Sequence, residues 1–243
     1  MMVTWPHQHP HFRAFARRDD FERATLAVIQ GVAKQSIESN GRFVLVLAGG
    51  RTPRSIYQAL CSIETDWSAW WIYFGDERCL PPTDPERNSR MAADAWLDVV
   101  PIPSEQIHVI PAELGPERAA ELYSQRLAEV GSFDLVLLGL GEDGHTASLF
   151  PGGDWEHETH WPDAIPVHGA PKPPQERVSL SPARLSYTRR CLYLVAGSDK
   201  QDAVFLWCAG GDLPASRIAA IERVDVFTLI GSDSTRSLQS SAA

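Results

Sequence analysis

The chain has only four cysteines, Cys61, Cys79, Cys191 and Cys208, and no Cys-x-x-Cys pair among them. That spacing argues against both a zinc site and a thiol redox motif, and the four are read as reduced. No apolar run reaches the length a membrane helix needs. Basic residues are in deficit, 22 against 31 acidic ones, for a net charge of −9. Such a balance argues against nucleic acid as a partner, and any anionic ligand must be held by locally clustered cations. There is no Gly-x-Ser-x-Gly serine, no Walker A lysine, no internal repeat and no clear metal cluster. The N-terminus lacks the basic start and apolar stretch of a secretory signal, so the expected location is cytoplasmic. His7, His9 and His11, set among prolines, read as a frayed terminus rather than a metal site.

What is present is enough for a sizeable core. At 243 residues, 44% hydrophobic and 22% charged, the chain reads as soluble and globular. The expectation is a single α/β domain over 1–243, with 1–12 and 232–243 as flexible termini. Asp19 and Asp20 are placed to cap a helix running to Asn40-Gly41. Strands are expected at Phe43–Leu47, Trp70–Phe74, Ile107–Ile110, Phe133–Leu138, Arg190–Ala196 and Val224–Ile230, the last closing the sheet, with Arg177–Ser181 a weaker candidate. Helices are expected from Asn88 through Leu97, from Gly115 to Val130 on an amphipathic pattern, and after Gly197 with Ser198 or Asp199 as cap. Between Pro151 and Gln175, prolines and tryptophans predict a long ordered excursion over the site.

Two strand ends carry the functional signal. After Phe43–Leu47 come Gly49, Gly50, Arg51, Thr52 and Pro53, with Thr52 expected as N-cap and Pro53 as first helical residue. A strand, two glycines and a helix start make an anion site, since free N–H groups and the positive end of the helix dipole converge there. After Phe133–Leu138 come Gly139-Leu140-Gly141-Glu142-Asp143-Gly144-His145, where three glycines admit unusual backbone geometry, two carboxylates and a histidine crowd together, and a short helical start is expected before Pro151. Although Gly-x-Gly-x-x-Gly is a dinucleotide fingerprint, Pro151 leaves too little helix, and two carboxylates would repel a pyrophosphate. A third strand end delivers Asp76, Glu77 and Arg78, either a solvated loop or part of a site.

Taken together, Leu47-Ala48-Gly49-Gly50-Arg51-Thr52-Pro53, Phe74-Gly75-Asp76-Glu77-Arg78 with Asn88 downstream, and Gly139 through Pro151 resemble the 6-phosphogluconolactonase family, which shares a superfamily with the glucosamine-6-phosphate deaminases. The resemblance runs from about residue 10 to residue 230. It implies a Rossmann-like three-layer α/β sandwich, its mostly parallel central sheet flanked by helices, with no nucleotide or other cofactor and no metal. The implied reaction is hydrolysis of 6-phospho-D-glucono-1,5-lactone in the oxidative pentose phosphate route. Carried onto this chain, it puts the substrate phosphate near Gly49, Gly50, Arg51 and Thr52, with Arg177 and Lys200 as further cationic positions. Many members have serine where Arg51 stands. Asp76, Arg78 and Glu142 would line the sugar-acid part of the pocket, His145 would be the base that activates water, and Asp143 would orient it.

Two other readings stay open from the residues. A glucosamine-6-phosphate isomerase and deaminase uses the same phosphate turn and an Asp-x-His pair, but its histidine precedes a segment that supplies another carboxylate, and Thr146–Pro151 has none. A non-catalytic phosphosugar-binding protein would use the cationic turns without needing His145. Protein partners are not indicated.

Overall fold

The computed structural model describes residues 9–157 and 160–230, and the C-terminal tail and His7 lie outside them. In chain order it begins with β1 (His11–Ala14), α1 (Arg18–Asn40), β2 (Phe43–Leu47), α2 (Arg51–Leu60), β3 (Trp70–Phe74), β4 (Asp76–Arg78) and α3 (Asn88–Ala92). There follow β5 (Ile107–His108), α4 (Pro116–Leu127), β6 (Phe133–Leu138), β7 (Ala164–Val167) and β8 (Arg177–Leu180). The last elements are α5 (Pro182–Ser186), β9 (Thr188–Ala196), α6 (Gln201–Cys208) and β10 (Arg223–Leu229). No helix among the described residues is long and apolar enough to cross a membrane.

Seven strands form the central sheet in the order β1-β10-β9-β6-β2-β3-β5, and every pairing in it is parallel. Parallel strands are covered on both faces and read as unbroken apolar runs. Every residue of β2 and of β6 is accordingly buried. The one polar residue in those two strands, Asp134, accepts from the Val44 amide at 2.8 Å and faces Arg189 at 3.6 Å. Strand order matters for function. From β2 the chain builds outward through β3 and β5, then returns to β6 on the other side of β2 and builds through β9 and β10. The β2–β6 boundary is therefore a topological switch point, where open α/β sheets bind ligands beyond the carboxyl ends of their strands.

Several sequence expectations are corrected. Residues 11 and 12, assigned to a flexible terminus, belong to β1, which pairs with β10 and takes the sheet edge that β10 was expected to form. Asp19 and Asp20 lie in the first turn of α1 instead of capping it, so they act on the helix dipole, while Gly41 ends the helix as expected, in the left-handed region at φ 73°. The helix from Asn88 is α-helical only to Ala92 and continues as a π-helical turn over Ala93–Leu97. Only Ile107 and His108 of the Ile107–Ile110 stretch pair with β3. Neither Ser198 nor Asp199 caps α6, because both belong to a 3-10 turn that leads into it. The charged triplet Asp76-Glu77-Arg78 is itself a strand. It pairs antiparallel with β8, which pairs with β7, so the excursion returns as part of a second, three-stranded sheet. That sheet is tied to α4 where the Ser124 hydroxyl meets the Ala164 backbone.

Candidate active site

At the switch point a cleft of about 200 Å³ is lined by Gly49, Gly50, Asp76, Arg78, Asn88, Gly139, His145, Ala147 and Arg177, among others. It opens beyond the ends of β2, β3 and β6, and its size suits a small polar ligand and not a dinucleotide.

The β2 wall is built from backbone. Tyr57 of α2 reaches back so that its hydroxyl accepts from the Ala48 amide (2.9 Å) and donates to the Ala48 carbonyl (2.8 Å), and burial pushes that hydroxyl's pKa far up. This clamp fixes the strand end before the glycines. Gly50, not Thr52, is the N-cap of α2, at φ 99°, where a side chain would be strained. Thr52 is already in the first helical turn, which corrects its expected capping role. Gly49 is required by a close approach: a Cβ there would lie 1.9 Å from Asn88 Oδ1. Arg51 is exposed, and neither it nor Thr52 lines the cleft.

Asp76 forms the floor. Its carboxylate is buried, taking a hydrogen bond from Asn88 Nδ2 at 3.0 Å and one from Ser148 Oγ at 2.6 Å. Glu77 turns the other way, fully buried, and accepts from the amides of Arg78, Asn88 and Ser89, so it caps α3 and serves the scaffold. Arg78 donates through Nη1 to the Glu86 carbonyl, while its buried Nε has no hydrogen-bond partner among the described residues.

The β6 wall is built from side chains. No helix follows β6, contrary to expectation. The chain makes a tight turn in which Gly141 donates to the His145 carbonyl and the Thr146 hydroxyl donates to the Gly139 carbonyl. Within it Asp143 Oδ1 accepts from the His145 amide at 3.0 Å and lies 2.5 Å from His145 Nδ1. The two side chains therefore converge. With Nδ1 held by the carboxylate, Nε2 is the ring nitrogen left for proton chemistry. Burial works to raise the Asp143 pKa, but the His145 amide, the imidazole's charge and its N–H outweigh it and hold the carboxyl below its ordinary value. Phe150 packs on the imidazole at 4.6 Å and under the Arg177 guanidinium at 5.4 Å, spacing the base from the cation. Ala147 is the one non-glycine at positive φ (48°) among the described residues, and it lines the cleft.

Arg177 is buried in the cleft wall and braces the excursion, donating from Nε to the Pro174 carbonyl (3.0 Å) and from Nη2 to the Lys172 carbonyl (2.9 Å). Burial lowers its pKa from the arginine value. Glu142 and Lys200 stand outside the lining, at the rim: Glu142 pairs with Lys172 at 2.6 Å, and Lys200 with Asp199 at 3.0 Å. Asn88, Ala147, Ser148 and Lys172 were not picked out as site residues from the sequence. Ala147 and Ser148 lie inside the Gly139–Pro151 stretch and Asn88 downstream of the Asp76 triplet, all parts of the resemblance, whereas Lys172 is only a chain neighbour of Arg177. Among the described residues, no group of three or more His, Cys, Asp or Glu side chains is arranged to hold a metal ion.

Residues 16–227 match the family described as glucosamine-6-phosphate isomerases/6-phosphogluconolactonase. The chain belongs to this family. Among its relatives, a 6-phosphogluconolactonase of Streptomyces coelicolor is 39% identical over 213 residues, covering 80% of this chain and 81% of the relative. One from Synechocystis is 39% identical over 197 residues, covering 75% and 78%. Among solved structures, a 6-phosphogluconolactonase of Thermotoga maritima superposes with a TM-score of 0.83 at 26% identity, covering 90% of this chain and 99% of that one. That of Trypanosoma brucei gives 0.82 at 26% identity, covering 94% and 98%. The family's fold is the Rossmann-like sandwich described above.

Proposed function

We propose that the protein hydrolyses 6-phospho-D-glucono-1,5-lactone to 6-phospho-D-gluconate, with His145 as the general base. The observation that carries this reading is the Asp143–His145 pair, in hydrogen-bond contact, facing a cleft whose opposite wall is the Gly49–Gly50 helix start. Relatives named as 6-phosphogluconolactonases over most of the chain support the choice of substrate.

In this mechanism the phosphate lies against the free N–H groups of the β2–α2 turn, where Gly49, Gly50, Arg51 and Thr52 begin the helix, with Lys200 contributing charge from the rim. Anchoring there holds C1 of the lactone over His145, so binding energy remote from the carbonyl serves positioning. His145 Nε2 takes a proton from water as the oxygen attacks C1, and Asp143 steadies the imidazolium that forms. The same nitrogen returns the proton to the ring oxygen as the C1–O bond breaks, leaving a free hydroxyl and a carboxylic acid that loses its proton to solvent. Arg78, Arg177 and Asp76 line the region of the sugar hydroxyls and carbonyl. Glu142, expected to line it too, is engaged by Lys172 at the rim. An activated ester of this kind requires neither a covalent nucleophile nor a cofactor. With the reading go a cytoplasmic location and a small phosphosugar as ligand.

The test is turnover of freshly made 6-phosphogluconolactone, measured against its spontaneous hydrolysis and beside glucosamine-6-phosphate. Acceleration of the lactone alone is expected. Turnover of the amino sugar alone would overturn the assignment, and binding of both without turnover would favour a sensor.

A further inference from the structure

The rim pair of Glu142 and Lys172 joins two segments that the mechanism above leaves apart. Glu142 belongs to the catalytic turn, and Lys172 comes thirty residues later in the excursion, yet Nζ donates to Oε1 at 2.6 Å. The Lys172 backbone is fixed by the cleft itself, since its carbonyl accepts from Arg177. Its side chain is 66% exposed, on a four-carbon stem with several rotatable bonds.

The charges around it point one way. Asp143 and Asp199 act on the Lys172 ammonium, Lys200 acts on Glu142, and Arg51 acts on Asp199. Lys172, Lys200 and Arg51 thus stand within electrostatic reach of Glu142, Asp143 and Asp199, three cations among three carboxylates, and Arg51 opens α2. The Lys172 ammonium holds the Glu142 carboxyl below its ordinary value. Because both groups are exposed, solvent screens the pair and it is weak. A phosphate dianion in the cleft offers more charge and more acceptor oxygens than one carboxylate.

We propose that Lys172 is a phosphate-recognising residue that the free protein stores on Glu142 and hands to the substrate's phosphate on binding, with Glu142 as the internal competitor. This rests on reading the cleft as a phosphosugar site. It changes the part played by Glu142, from a substrate contact to a positioning group for Lys172.

The test is calorimetric binding of 6-phosphogluconate to the full chain and to Lys172→Met, Lys172→Arg and Glu142→Gln, with melting temperatures and lactone turnover measured on the same samples. Lys172→Met is expected to weaken binding by about tenfold or more, the scale of one charged hydrogen bond, and Lys172→Arg to restore most of it. Glu142→Gln is expected to tighten binding by about two- to fivefold, the worth of an exposed competing pair. The opposite signs are decisive, because a contact that only ties the excursion down would weaken binding in both variants. Weakening in Glu142→Gln, no change in Lys172→Met, or no binding to the unmodified chain would each overturn the proposal. Lys172-dependent binding without lactone turnover would overturn the proposed reaction and leave phosphate recognition standing.

Discussion

The strands on either side of the switch point, β2 and β6, are both fully buried and both end at glycines, yet the chain leaves them in opposite ways. From β2 it enters a helix almost at once, through Gly50 at φ 99°. From β6 it makes a helix-free turn with positive φ at Gly144 and Ala147. A helix start offers backbone N–H groups, which suit an anion and carry no titratable proton. A turn offers side chains, which suit proton transfer. In the proposed reaction one end anchors the phosphate and the other activates water, so single substitutions should affect one wall without the other.

The largest effect is expected on the β6 wall. His145→Ala should lower kcat by about 10²- to 10⁴-fold, the range for loss of a general base, with KM changed far less. Steady-state lactone kinetics would check it, and near-normal kcat would remove His145 from the role. A paired glycine experiment sharpens the contrast. In Gly141→Ala the new Cβ would fall 2.0 Å from His145 Nδ1 and 2.5 Å from Asp143 Oδ1, so the pair must separate and kcat should drop by about tenfold to a hundredfold. In Gly49→Ala it would meet Asn88 Oδ1 at 1.9 Å, on the phosphate wall, so KM should rise, with about 1–3 kcal/mol of overpacking cost visible in urea unfolding.

A smaller effect is expected from acid. The Asp143 pKa is depressed in the folded chain, so its contribution to stability is present above the unfolded carboxyl value of about 4 and is lost as pH falls through the lower folded value. Asp143→Asn should therefore flatten the fall in melting temperature below about pH 4, as read by thermal scans from pH 6 to pH 3. The smallest is Ala147→Gly. Relief of a left-handed alanine, partly offset by the entropy glycine adds to the unfolded chain, should raise the melting temperature by about 2 °C. A fall instead would mean that the Ala147 methyl group, and not its backbone, matters in the cleft.

The sequence by itself determined what is local. Unbroken apolar runs marked the buried parallel strands, the glycines after Phe43–Leu47 marked a strand end that passes directly into a helix, and Asp143, two residues before His145, was close enough in the chain to form the pair that the fold contains. Its weaker predictions lay where one neighbourhood allows two outcomes. Thr52 has the chemistry of an N-cap, but Gly50 took that place because only glycine tolerates its backbone angle, and Pro151 limited a helix after β6 without saying that none would form. Tertiary structure decided what depends on distant partners. Ser148 reaches the Asp76 carboxylate across 72 positions of chain and Glu142 meets Lys172 across 30, while Glu77, in the same triplet as Asp76, turns inward to cap α3. No local propensity encodes such contacts, since they exist only once parallel strands have brought separate chain ends to one edge of the sheet.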